Sequence, residues 1–311
     1  MTLPASGQIT LNQVNVELGL TATAQIGLGD AAVRGLFGVS SGAISMSNGY
    51  GKANEFAFTI SSSLTDANLR TLAVNAGWNQ TSYVKATINS GVYCYATSTS
   101  NYGLTVNGSW PNGVNLDNNG VIAGRGGAGG QGRGLFSFNG DAATGLGYEG
   151  TNGGAGGTAL YVTTAVTIDN GGGAVRGGGG GGGGGRAQIY SFVQPNAIIS
   201  GGGGGGGASN GTAGLGGNCN TNNAPNGGWN SGNGNPGSAG SLTGGGAGGT
   251  SVGQNNAYNP APGGAGGGWG SAGTVGGGNS QGTSGGAAGA ATNGNSNITW
   301  SSTGTRTGSL G

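Results

Sequence analysis

The chain has 311 residues, 83 of them glycine and only 5% charged, and its formal charge is +1 with no histidine. So small a charge, scattered along the chain, excludes the basic stripe on which nucleic-acid binding by counterion release depends. Without histidine there is no Ser-His-Asp triad, no Cys-His pair and no histidine-held metal.

Three textures follow one another. They read as an N-terminal docking segment (1–54), a small α+β domain (55–122) and a glycine-rich domain (123–311). The opening MTLPASGQIT has neither the basic nor the apolar stretch of a signal peptide, which predicts synthesis in a cytoplasm. Within the first segment SGQITLNQ (6–13) matches SGAISMSN (41–48), with a weaker copy, QIGLGDAA (25–32), between them. Each copy reduces to Ile-x-Leu/Met: Ile9 and Leu11, Ile26 and Leu28, Ile44 and Met46. Thr10 is expected to cap a helix LNQVNVEL ending at Gly19, and Asp30 to cap AAVRGLF in the same way. Helices of one or two turns need a partner surface. The six repeat residues are therefore docking candidates, the alternative being a self-contained subdomain. A threefold quasi-repeat suits the end of a trimeric fibre.

In the second segment Leu64, Leu69, Leu72 and Val74, with Thr65 as cap and Gly77 as stop, predict one helix near 66–76. Four β-rich pieces follow: YVKATI (83–88), GVYCYATS (91–98), YGLTVNG (102–108) and GVNLDNNGVIAG (113–124). VNLDNNGVIAGRGG (114–127) is echoed by VTIDNGGGAVRGGG (166–179), and NAIISGGGGGGG (196–207) also runs from a strand into glycine. Flexible linkers are not entered from strands in this way.

The glycine runs fit an extended left-handed helix of three residues per turn and ~3.1 Å rise. That helix makes no internal hydrogen bonds, and its N–H and C=O groups point outward. If every side chain is missing, neighbouring helices approach closely enough to pair those groups. A helix surrounded on all sides needs glycine everywhere; one at an edge tolerates another residue at one position in three. Residues 177–185 and 201–207 are pure glycine and read as interior, the first a rod of roughly 28 Å. GGAGGQGRG (126–134) and GGAGGGWGS (263–271) read as edge rods. The fold class expected is thus mostly irregular and β: a small α+β N-terminal region, then a bundle of polyglycine II helices with connecting loops.

The loops joining the rods are rich in Asn and aromatics, and loops on a rigid scaffold are where binding concentrates. Phe136, Phe138, Tyr148, Tyr190, Phe192, Trp229, Tyr258 and Trp269 are the binding candidates. Catalysis has little support. A glycosidase needs two carboxylates flanking a sugar bond; Asp141 and Glu149 could meet in principle, but they lie in a glycine-rich loop and read as solvated loop acids. Cys94 and Cys219 read as free thiols, far apart and in no CxxC pair. The GxGxxG match at Gly124, Gly126 and Gly129 is a chance product of glycine content and lacks the following helix. The Arg-Gly-Gly triplets at Arg125 and Arg176 are too few for an RNA-binding tail. No apolar run approaches the ~20 residues of a membrane span. No cofactor, metal, nucleic acid or membrane insertion is expected.

Strand-launched glycine runs alternating with aromatic loops resemble the tail-fibre tip adhesins of T-even-like bacteriophages, over about residues 123–311. SGQITLN and SGAISMSNGYGK resemble short motifs of phage virion proteins. The resemblance implies a sandwich of polyglycine II helices and distal loops that recognise a bacterial outer-membrane protein or surface polysaccharide. It also implies docking through the N-terminus onto a trimeric phage fibre or other virion protein, and a place in the virion after synthesis in the host cytoplasm. The first 120 residues depart from the familiar adhesins. A purely structural virion component (fibre, baseplate or capsid decoration) is the alternative. An ice-binding protein would need a flatter, more regular face.

Overall fold

The computed structural model describes residues 3–138, 141–142, 150–185, 197–215, 234–253, 261–277 and 282–311. Residues 1–54 fold around their own small core. Helix α1 (Leu11–Glu17) begins at Thr10, whose hydroxyl accepts from Gln13 N–H at 3.3 Å while the Gln13 side chain accepts from Thr10 N–H at 2.8 Å. Before a short 3-10 turn at Met46–Gly49, the Asn48 side chain accepts from Ser45 N–H at 2.8 Å. The sequence repeat is thus a repeated capping box. Helix α2 (Ala31–Phe37) starts at Asp30, but the expected cap is absent. The Asp30 carboxylate turns back to accept from Gly27 N–H at 2.8 Å. Ile9 is buried with Leu3, Val14, Val33, Leu36 and Phe37; Ile26, Leu28, Ile44 and Met46 pack half-buried against them, and Leu11 is exposed.

From residue 55 the chain winds as a parallel β-solenoid with three faces. Its first rung is β1 (Glu55–Ile60), β2 (Leu64–Thr65) and β3 (Ala67–Asn68). Helix α3 (Leu69–Asn75) follows, starting later than the sequence suggests. Asn68, not Thr65, is its cap, accepting from Thr71 N–H at 3.1 Å. The second rung is β4 (Tyr83–Ile88), β5 (Tyr93–Tyr95) and β6 (Leu104–Val106); the third opens with β7 (Val114–Asn118) and β8 (Val121–Ala123). There the chain leaves on a first glycine-rich excursion, which carries β9 (Gly134–Phe138) and β10 (Asp141–Ala142). It returns as β11 (Leu160–Val162), β12 (Val166–Asp169) and β13 (Ala174–Arg176). A second, longer excursion carries β14 (Ala197–Ser200) and β15 (Val252–Gly253); the chain re-enters as β16 (Thr292–Asn293), β17 (Ile298–Ser302) and β18 (Thr305–Thr307).

The three sheets run β1-β4-β7-β12-β17, β18-β13-β8-β5-β2 and β16-β11-β6-β3, every pair parallel. Strands on both sides of residue 123 therefore share one solenoid. Inward residues stack rung upon rung: Ala86, Leu116, Ile168 and Trp300 on one face, Ala67, Leu104 and Leu160 on another. Fully burying a Leu or Ile in such a stack stabilises by about 1.5–3 kcal/mol. The echoed sequences are neighbouring rungs in register, Leu116 beside Ile168 and Ile122 beside Val175.

Candidate functional site

Both excursions prolong solenoid strands. β8 runs straight into 125–133 and β13 into 177–185. Where the ladder would continue, Gly124 N–H bonds to Arg176 O at 2.9 Å and Gly127 N–H to Gly179 O at 2.8 Å. From there on the bonding period is three residues. Gly178, Gly181 and Gly184 donate to the carbonyls of Gly157, Gly154 and Thr151; Gly179, Gly182 and Gly185 donate to those of Ala208, Gly205 and Gly202; Gly180 and Gly183 donate to Ser271 and Thr274. The carbonyls of 177–185 accept in the same rhythm from 127–133, 264–270 and 283–289. Residues 177–185 thus have six neighbouring segments and are buried throughout.

The same accounting surrounds 201–209 with 127–133, 179–185, 211–214, 235–241, 246–249 and 261–267. Carried outward, the bonds order the ten described segments into three layers of three, four and three. The layers are 151–157, 125–133 and 211–215; then 283–289, 177–185, 201–209 and 235–241; then 271–276, 261–268 and 244–250. Only the two segments with six neighbours are glycine at almost every position. In 261–268, which borders solvent, Pro262, Ala265 and Gly268 are exposed at every third residue.

Steric necessity follows from the packing. A Cβ on Gly181 would be built into the Ala128 carbonyl, and one on Gly204 into the Gly182 carbonyl. Gly268 has open space at that position. Backbone groups that no side chain shields are paired with one another, which is the condition for burying them.

The array has two unlike ends. At the near end the segments are joined by tight turns at 209–211, 242–244 and 268–271, and the last meets the solenoid: Gly270 N–H donates to Gly177 O at 2.8 Å, and Gly270 packs on Thr307 and Gly308. Among the described residues, the segments that end at 133, 185, 215, 250 and 277 all run out at the far end. There a four-stranded antiparallel sheet, β10-β9-β14-β15, joins the two excursions, with Ser137 opposite Ala197 and Ile199 opposite Gly253. A collar of hydroxyls and amides fixes the segment ends at this rim. Thr283 Oγ1 donates to Thr151 O at 2.7 Å, the Thr151 hydroxyl accepts from Gln131 N–H at 2.7 Å, and Asn235 Nδ2 donates to Thr250 Oγ1 at 2.6 Å.

The binding candidates separate accordingly. The backbones of Phe136 and Phe138 belong to β9 at the far end. Tyr148, Tyr190, Phe192, Trp229 and Tyr258 lie outside the described residues, as do Glu149 and Cys219. Trp269 is at the opposite end, in the turn next to the solenoid, half-buried with the Arg176 guanidinium 5.5 Å from its ring centre. The half-buried indole lies against this cation at the junction, at the opposite end from the backbones of Phe136 and Phe138. The collar threonines were not legible in sequence, because Thr in a Gly-Ser-Asn setting looks like any loop residue. Among the described residues no group of three potential metal ligands occurs, and no helix is long and apolar enough to cross a membrane. The site is therefore a rim of backbone and small polar groups carrying loops.

A family model described as phage tail fibre adhesin Gp38 matches residues 55–311. Among solved structures, the gp37-gp38 adhesin tip complex of the bacteriophage S16 long tail fibre contains a similar chain. It is 21% identical, with a TM-score of 0.54, over 98% of this chain and 99% of that one. No curated protein matches the sequence.

Proposed function

The chain belongs to the phage tail fibre adhesin Gp38 family, and from that premise we propose how it recognises a bacterial surface receptor. The glycine runs are polyglycine II helices packed as a rigid sandwich. The loops at its far end contact an outer-membrane protein or a surface polysaccharide without covalent chemistry. One observation carries this reading: among the described residues, the chain leaves and re-enters the backbone-bonded array for its longer connections at one end, opposite the solenoid strands that lead into it. The three-residue bonding period and the six neighbours around each all-glycine segment support the polyglycine II assignment.

The division of labour follows the chain. Residues 1–54 attach the protein to a phage fibre; the solved structure it resembles is a gp37-gp38 complex from a long tail fibre, which supports a fibre partner. Leu11 is exposed there, and Ile26, Leu28, Ile44 and Met46 add half-buried surface. Residues 55–122 give the solenoid its first rungs, and 123–311 hold the array and its loops. Phe136, Phe138, Tyr148, Tyr190, Phe192, Trp229 and Tyr258 supply receptor contact, while Trp269 braces the scaffold. The protein does no catalysis in this role and acts in the virion after synthesis in the host cytoplasm.

The test is competition. Host cells are incubated with the purified protein before phage is added, and free phage is counted. An adhesin lowers adsorption in a saturable way; a purely structural virion component leaves it unchanged.

A further inference from the structure

The two ends of the solenoid are finished differently. At its last rung residues 309–311 lie along the sheet edge: Leu310 bridges to Thr292, and Gly311 N–H donates to Thr292 O at 3.0 Å. The Arg306 guanidinium lies 4.8 Å from the Trp300 ring centre, so a cation closes the final apolar layer. After the first rung, helix α3 and Trp78 join the same core, with the Arg70 guanidinium 5.6 Å from the Trp78 ring centre, but no strand pairs with the outer edges of the rung among the described residues. β1, β2 and β3 each end their sheet. Phe56 and Phe58, half-buried with ring centres 6.0 Å apart, form a core layer with no rung above it.

β1 itself is an unblunted edge. It pairs with β4 without a bulge over six residues and contains no proline. The carbonyls of Asn54 and Ile60 accept from β4-side amides, Tyr83 N–H and Asn89 N–H. By the alternation of a strand, the N–H and C=O groups of Glu55, Ala57 and Thr59 point off the free edge. Natural edges of this length are normally blocked by lysine, proline or a bulge, because they template pairing with another chain. This one also sits beside residues 1–54, tied to them by Asn54 N–H donating to Glu17 Oε1 at 2.9 Å. The family match begins where β1 begins, at residue 55.

We infer that β1 is completed in the virion by a β-strand of the fibre subunit, which adds to the sheet at Glu55, Ala57 and Thr59 and lays an apolar side chain on Phe56 and Phe58. The inference rests on the reading that this end of the protein faces the fibre, and it names the part of the fibre that binds: an extended segment with alternating apolar and polar residues. A second copy of this chain is the competing occupant.

The experiment uses the full-length protein and the purified fibre. Ala57→Pro removes an outward N–H that β4 does not use, at a position where an edge strand tolerates proline. Expected is at least a tenfold loss of fibre affinity with an unchanged melting temperature. In the wild type, the amides of Ala57 and Thr59 should exchange rapidly when the adhesin is free and become protected when it is bound, a readout independent of whether the variant folds. Leu11→Asp separates the two claims. If Leu11→Asp abolishes binding while Ala57→Pro binds normally and the two amides stay exchangeable, docking stands and the strand addition is overturned. If neither variant alters binding and the amides are unchanged, the docking reading fails with it. A fibre-independent dimer that protects the same amides would assign the edge to a second copy and overturn the inference.

Discussion

Asn118 and Asn170 meet inside one corner of the solenoid, the Asn118 amide donating to Asn170 Oδ1 at 2.6 Å with both residues fully buried. Asn170 Nδ2 then donates to Thr303 O at 2.8 Å and Thr305 O at 3.1 Å, and Asn118 Oδ1 accepts from Gly120 N–H at 3.2 Å. The pair ties three successive rungs where the chain turns between sheets. Replacing Asn170 by Leu strands these partners without water, and each buried unpaired group costs about 1–3 kcal/mol. Asn170→Leu should lower the denaturant midpoint by the equivalent of several kcal/mol, roughly 3 or more. An unchanged midpoint would show that the corner does not depend on the ladder.

Glycine is required inside the array and optional on its surface. Gly181→Ala and Gly204→Ala each drive a methyl group into a backbone carbonyl of a neighbouring segment. Such overpacking typically costs 1–3 kcal/mol, and more where backbone must move. Gly268→Ala meets open space and should stay within about 0.5 kcal/mol of the parent. Thermal melts of the three variants decide it; if Gly181→Ala melts with the wild type, 177–185 is not interior.

Burial pushes the Cys94 thiol up to about 11, in the layer between Leu64 and Ile122. The thiolate is the reactive form, so at pH 8 the native protein should resist alkylation at this residue. In a Cys219→Ser background, mass spectrometry should find Cys94 unlabelled until denaturant is added. Labelling of the folded protein at the rate of a free thiol would contradict this packing.

Asp66 is opposed by desolvation, but hydrogen bonds from the Thr97 hydroxyl and N–H and the Asn101 amide outweigh it and hold its carboxyl below 3.8. A depressed carboxylate contributes stability that is present above its unfolded value and lost as pH falls through its folded value. The wild type should therefore be more stable than Asp66→Asn at pH 6, with the difference shrinking only below about pH 3.8. A difference that shrinks between pH 6 and 5 would refute the assignment.

Much of this architecture was legible because its rules are local. YVKATI is β4 to the residue, since Val84, Ala86 and Ile88 alternate inward. The doubled VNLDNNG and VTIDNGG announced neighbouring rungs because stacked positions face the same demands. What sequence could not supply was the winding. The strands of 160–176 and 292–307 complete sheets begun before residue 123, and such pairings depend on contacts between distant segments. The same limit hid the position of Trp269: its spacing among glycines looks like that of the loop aromatics, and only the fold puts it beside Arg176 at the near end. Thr65 and Asp30 failed as caps because residues next in line, Asn68 and the Gly27 amide, offered better partners.

If the loops at the far end choose the host while the array holds them, exchanging residues 218–233 for the corresponding loop of a family member with a different host should redirect adsorption. Phage carrying the exchanged protein should adsorb to the donor's host, with a melting temperature within a few degrees of the parent. If the chimera folds equally well and still adsorbs to its original host alone, recognition lies elsewhere and the account is wrong.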